Sequence, residues 1–119
     1  MLAAHPRQIV YLAVGATDMR KQVEGLAAIV QADFPRSPFA PCLFAFCNRR
    51  KTIVKILEWS ARGFWLHYFR LDEGKLPWPE AGDEEHPLEL TWDDLRRLLE
   101  GSALRSKKQR HLIVPQYLA

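Results

Sequence analysis

Three apolar runs in the middle of the chain constrain its fold more than any other feature of the sequence. The runs cover residues 43–47, 53–59 and 64–71, and short polar breaks separate them. Runs of this length that are rich in Val, Ile, Phe, Tyr and Trp predict an antiparallel meander. The middle run has apolar side chains at successive positions, so we expect both faces of its strand to be covered.

One further strand and a helix are predicted before the meander. Residues 8–14 form a short apolar run that ends at Gly15, which indicates a strand. Asp18, or Thr17 beside it, is suited to cap a helix whose apolar residues recur at the spacing of one helical face. Pro35 should end that helix.

A long loop and a second helix are predicted after the meander. Residues 72–87 hold three prolines and two glycines beside a run of acids, which indicates an exposed loop. Two apolar side chains within it, Leu76 and Trp78, are expected to pack back onto the body of the protein. Thr91 and Asp94 have the spacing of a capping box, so a helix should begin there.

These segments together predict an α+β fold. Its sheet would be mainly antiparallel, with about four strands from the meander at 43–71 and the N-terminal strand, and two helices would pack on it. A chain of 119 residues is long enough for one core. We therefore expect a single domain at residues 1–104, followed by a basic C-terminal tail at residues 105–119.

Composition excludes several classes of protein and site. Hydrophobic residues make up 48% of the chain, as in soluble globular domains. No apolar run approaches the roughly 20 residues of a membrane span, and the N-terminus lacks the pattern of a signal peptide, so we expect a cytoplasmic protein. Cys42 and Cys47 should point to opposite faces of a strand and stay reduced. No CxxC or HxxxH pair occurs, so we predict no metal and no other cofactor.

Charge is segregated along the chain. Residues 1–79 carry a net charge of +5, residues 80–104 a net charge of −6, and residues 105–119 a net charge of +4. The basic portions suit a polyanion, whereas the acidic portion suits a basic partner or the protein's own tail.

A cluster of cations at the first turn of the meander is the main candidate for a binding site. Three consecutive cations occupy the turn and three more lie on or near the neighbouring strands: Arg49, Arg50 and Lys51, then Lys55, Arg62 and Arg70. A cationic hairpin can pair with DNA phosphates or enter a groove. A solvent-facing turn can also carry charge for solubility alone, so both interpretations stay open.

Two cations near the first helix form a second candidate. Arg20 and Lys21 fall in the first turn of that predicted helix, where the helix dipole disfavours positive charge. They could hold a phosphate together with the helix N-terminus. An ion pair with Glu24 is the alternative that we favour.

Stacking and catalysis are weaker interpretations of the remaining residues. Six aromatic side chains are possible platforms for bases, although core packing is favoured for them: Trp59, Trp65, Trp78, Trp92, Tyr68 and Phe69. The acids that a metal-dependent nuclease would recruit are Asp18, Asp33, Asp72, Asp93 and Asp94. Several of these have a capping or turn explanation, and no nucleophile motif or P-loop occurs. We predict no catalytic residues.

The segments GATDMRK at 15–21 and LFAFCNRR at 43–50, together with several shorter ones, resemble the TnpB-type accessory proteins of the IS66 insertion sequences, the product of the second reading frame of such elements. The most specific segments are TDMRK at 17–21 and NRR at 48–50. Further similarity lies at 25–31, 43–47, 55–59, 63–65, 70–71 and 78–79. The resemblance extends from about residue 9 to residue 101. Members often carry an acid after the basic turn, where this chain has Thr52.

The resemblance implies an accessory factor for transposition that acts beside a separate transposase. In the leading hypothesis, this protein contacts element DNA, the transposase, or both. In the DNA version, Arg49, Arg50 and Lys51 contact phosphate or a groove. Four further cations would assist: Arg20, Lys21, Lys55 and Arg62. The alternatives are an adaptor that docks the transposase without touching DNA, and a small metal-dependent nuclease. Self-association into a homo-oligomer is a further hypothesis, because the strands are apolar on both faces.

Overall fold

A computed structural model describes residues 5–105. The chain forms five strands and two helices in this order: β1 (Ile9–Leu12), α1 (Val23–Asp33), β2 (Leu43–Cys47), β3 (Ile53–Ser60), β4 (Gly63–Arg70), β5 (Leu88–Thr91) and α2 (Trp92–Leu99). The predicted α+β class and the meander of β2, β3 and β4 are confirmed.

The five strands form one mixed sheet in the order β4-β3-β2-β1-β5. β1 runs parallel to β2, to which it is joined through α1, and the other three pairings are antiparallel. The fifth strand, β5, was not predicted, and it begins directly after the predicted loop at 72–87 and ends at Thr91, the predicted cap of the second helix. It forms because Leu88 and Leu90 face the core while Glu89 between them is exposed.

Both faces of the central strands of the sheet are buried under other parts of the chain. On one side, the α1 face, Tyr11, Phe44 and Leu57 pack with the helix residues Leu26 and Val30. On the other side, the α2 face, a second apolar cluster joins strand residues to α2 and the loop before β5: Val10, Leu12, Ala45, Val54, Ile56, Leu76, Trp78, Leu95 and Leu98. The prediction that β3 is covered on both faces is confirmed.

Helix α1 begins later than predicted. Its N-cap is Gln22, which makes no side-chain capping hydrogen bond. Asp18 instead accepts hydrogen bonds from the backbone and guanidinium of Arg20, and its carbonyl accepts from Lys21 N at 3.2 Å. These local bonds hold residues 18–21 in a turn, so the proposed cap at Asp18 or Thr17 was wrong.

Most residues of the loop between β4 and β5 are exposed, as predicted, and two buried side chains attach the loop to the sheet. Trp78 is 3% exposed, and its Nε1 donates to Ala13 O at 2.9 Å. Leu76 is buried, and its backbone N–H donates to Lys51 O at 2.8 Å. The expected packing of these two side chains is confirmed.

Helix α2 has well-formed ends. Asp94 N donates to Thr91 Oγ1 at 3.3 Å, and Thr91 N donates to Asp94 Oδ2 at 3.4 Å, which completes the predicted capping box. At the other end Gly101 has φ of 104° and its N–H donates to Leu98 O. Ser102 N donates to Arg97 O, so the helix ends in a Schellman motif.

The two cysteines are buried free thiols on opposite faces of the sheet, as predicted. Cys42 belongs to the cluster under α1 and Cys47 to the cluster under α2. Burial raises the pKa of Cys42 to about 11 and that of Cys47 to about 12. In the described part of the chain, neither helix has the length and apolar character needed to cross a membrane.

Replacing Thr91 by Ala should lower the free energy of unfolding by about 1 kcal/mol, because Asp94 N loses its side-chain acceptor. Urea unfolding followed by circular dichroism measures this change. Ser102→Ala is the control, since the side chain of Ser102 makes no hydrogen bond within residues 5–105. Equal urea midpoints for Thr91→Ala and the parent protein would contradict a stabilising role for the box.

Candidate nucleic-acid interface

The turn between β2 and β3 is held in one conformation by Asn48. Its Oδ1 accepts from Thr52 N at 2.8 Å and from Ile53 N at 3.0 Å, while its Nδ2 donates to Thr52 Oγ1 at 3.0 Å. Lys51 adopts a φ of 62°, which an L residue rarely does. The turn therefore presents its side chains from a fixed backbone.

The three turn cations have different surroundings. Arg49 and Arg50 are exposed, and neither makes an ion pair within residues 5–105. The ammonium of Lys51 pairs with Glu80, and this side chain is only 26% exposed. Lys51 thus ties the turn to the loop between β4 and β5, whereas the two arginines extend into solvent.

Arg20 is paired with Asp18 and not with Glu24, the partner we favoured from the sequence. Its Nε lies 3.0 Å from Asp18 Oδ1, and its Nη2 lies 2.8 Å from Asp18 Oδ2. These hydrogen bonds hold the pKa of Asp18 below its usual value. The side chain of Arg20 is 91% exposed, so the pair remains in solvent.

Lys55 is not a surface cation. It is 5% exposed, and its Nζ donates to Met19 O at 2.7 Å and to Lys21 O at 2.9 Å. Within the described residues its ammonium has no carboxylate partner, and the two carbonyls satisfy it. Lys55 therefore positions residues 19–21 over β3 and does not itself face a ligand.

Several exposed cations are brought to one end of the sheet. Thr17 N donates to Cys47 O at 2.8 Å, which joins the segment before α1 to the end of β2 where the turn begins. Arg70, at the end of β4, is exposed and lies opposite Ile53 at the start of β3. We call this group the basic corner, and it comprises Arg20, Lys21, Arg49, Arg50 and Arg70.

Arg62 is separated from the basic corner. It lies in the turn between β3 and β4, at the other end of β3. Eight strand residues span about 26 Å. One copy of the protein therefore cannot use Arg62 and the turn arginines at the same point on a ligand.

A crevice of about 410 Å³ lies beside residues 15–21. Its charged and polar lining consists of Thr17, Asp18, Lys21, Asp33 and His86. His86 Nδ1 accepts from Val14 N at 3.2 Å and so contributes to the fold. Among the residues that the structure describes, no three His, Cys, Asp or Glu side chains are grouped to hold a metal ion.

The acids at the start of α2 are engaged with arginines. Asp93 pairs with Arg96 at 2.9 Å and with Arg97 at 3.2 Å, and hydrogen bonding from Arg96 is the main cause that lowers its pKa. Asp94 pairs with Arg105, the first residue of the predicted tail. The other tail cations, Lys107, Lys108 and Arg110, lie outside the described residues.

Comparison with known proteins finds one family that matches most of the chain. The family model described as IS66 Orf2-like protein matches residues 8–109. A protein of Sinorhizobium fredii (strain NBRC 101917 / NGR234), described as uncharacterized protein y4hO, is 35% identical over 81 residues, which cover 68% of this chain and 70% of that protein. No solved structure gives a significant match. The family match includes every residue of the basic corner.

Replacing Lys55 by Met should lower the free energy of unfolding by about 2 kcal/mol, because the Met19 and Lys21 carbonyls lose a charged donor. Hydrogen exchange should also become faster at the amides of residues 19–22. Lys75→Met is the control, since Lys75 is an exposed lysine in the loop after β4. Unchanged stability together with unchanged exchange would show that Lys55 does not hold this segment.

Proposed function

The chain belongs to the IS66 Orf2-like family, and we propose that it is a non-catalytic accessory protein that contacts the DNA of its insertion sequence through the basic corner. The family itself implies an accessory role in transposition. In the proposed role the protein would act in the cytoplasm, on element DNA and beside a separate transposase.

The observation that carries this proposal is the exposure of Arg49 and Arg50 on a turn whose backbone is fixed by Asn48. A guanidinium offers two parallel donors that match the oxygens of a phosphate. Lys21 and Arg70 lie at the same end of the sheet and make no ion pair within the described residues. Phosphate contact would release condensed counterions and so favour binding.

The proposal leaves strand transfer to the transposase. Asp18, Asp93 and Asp94 are three of the acids that a metal-dependent nuclease would recruit. Each is bound instead to arginine side chains of its own segment or of the adjoining tail. These contacts favour structural roles for the three carboxylates over a nuclease site.

An adaptor that binds the transposase is the second candidate, and the edge strand β4 favours it. Trp65 is 47% exposed there and stacks on His67 with ring centroids 6.0 Å apart. An edge strand with exposed apolar side chains can pair with a strand of a partner, either the transposase or a second copy of this chain. The acidic segment at residues 80–89 is less suited to docking the transposase, because Glu80 pairs with Lys51 and Glu89 accepts a hydrogen bond from Tyr11.

The double variant Arg49→Gln/Arg50→Gln should weaken binding of element-end DNA roughly tenfold near 0.15 M salt. The slope of log K against log salt should fall by about 2, because two phosphate contacts are lost. Fluorescence anisotropy across a salt titration measures both quantities. Arg62→Gln removes a cation outside the basic corner, so it should leave the affinity within about twofold of the parent value and the slope unchanged.

Equal affinity and slope for the double variant and the parent would contradict DNA contact through the turn. The adaptor would be the correct function under two conditions together. The parent protein would bind no DNA, and the double variant would capture the transposase to the same extent as the parent.

A further inference from the structure

An exposed aromatic ring lies within the basic corner. Tyr68 on β4 is 59% exposed, more than any other large hydrophobic side chain among the described residues. It lies directly opposite Lys55 in the sheet register and therefore on the same face. Lys55 in turn holds residues 19–21, so Tyr68 is next to the segment that carries Arg20 and Lys21.

Positive charge adjoins this ring on several sides. Arg70 follows two positions later on the same face of β4, about 7 Å along the strand. Lys55 is the cross-strand neighbour of Tyr68, and its buried ammonium donates to carbonyl oxygens and has no carboxylate partner within the described residues. The ring of Tyr68 therefore lies where the potential favours an anionic ligand.

Tyr68 differs from the two other exposed aromatic residues. Phe39 packs against Trp59 and Phe64, with ring centroids 4.9 Å and 5.5 Å away. Trp65 stacks on His67 on the opposite face of the same strand. Within residues 5–105 no aromatic ring packs on Tyr68, and its strand is at the edge of the sheet. Its ring is open to a ligand.

We propose that Tyr68 is a stacking platform for an unpaired base, so that the preferred ligand of the basic corner is DNA with single-stranded nucleotides. This inference rests on the proposed DNA contact and specifies its substrate. The bases of an intact duplex are already stacked on one another, whereas an unpaired base offers its π-face to an aromatic side chain. The surrounding cations would hold the phosphates on either side of that base.

The test compares Tyr68→Ala with the parent protein on two probes, a single-stranded oligonucleotide of mixed sequence and the duplex of the same sequence. Tyr68→Ala should weaken binding of the single strand by about five- to a hundredfold and change duplex binding by less than about twofold. Tyr68→Phe keeps the ring and should bind the single strand almost as well as the parent. Trp65→Ala, an exposed aromatic on the other face, is the matched control.

Four outcomes would overturn the inference. The first is an unchanged affinity of Tyr68→Ala for the single strand. The second and third are a loss of single-strand affinity in Tyr68→Phe, or in Trp65→Ala, as large as that in Tyr68→Ala. The fourth is tighter binding of the duplex than of the single strand by the parent protein. The Arg49→Gln/Arg50→Gln variant distinguishes failure of the stacking inference from failure of the proposed DNA contact. If that variant loses affinity while Tyr68→Ala does not, the basic corner binds DNA without stacking. If neither variant changes binding, both proposals are wrong.

Discussion

Burial of β2 on both of its faces is the constraint on which the other elements depend. All five of its residues are buried, and their side chains alternate between the two apolar clusters. Strand pairing on both sides satisfies its backbone groups without water. A central strand of this kind needs a covering layer above and below, which α1 supplies on one face and α2 with the loop before β5 supplies on the other. The sheet itself therefore offers its strand ends, its turns and its outer edge strand for contact with a partner.

The parts of the fold that follow from apolar patterning could be predicted from the sequence. Three runs with short polar breaks gave the meander, and the spacing of Thr91 and Asp94 gave the capping box because both members lie within one turn of helix. β5 was harder to find. Its four residues run directly into α2, so Leu88 and Leu90 show too little alternation to separate a strand from a helix start.

Polar contacts between distant segments could not be predicted. A lysine in a strand next to a cationic turn suggests a surface charge, but Lys55 is bound to carbonyls of residues 34 and 36 positions away. Glu80, which pairs with Lys51, is 29 positions away and lies in a loop whose path was unknown. Asp18 could cap a helix or bind Arg20, and both outcomes suit the same local sequence. Such choices depend on how the chain folds back, which periodicity does not specify.

If the basic corner contacts DNA as proposed, the separation of Arg62 from the turn arginines limits the footprint of a single copy. β3 spans about 26 Å, and one turn of B-DNA rises about 34–36 Å. A contact surface confined to one end of β3 therefore covers less than one helical turn and reaches few phosphates. Occupancy of an element end would then depend on several copies arranged along the DNA, or on the transposase holding one copy in place.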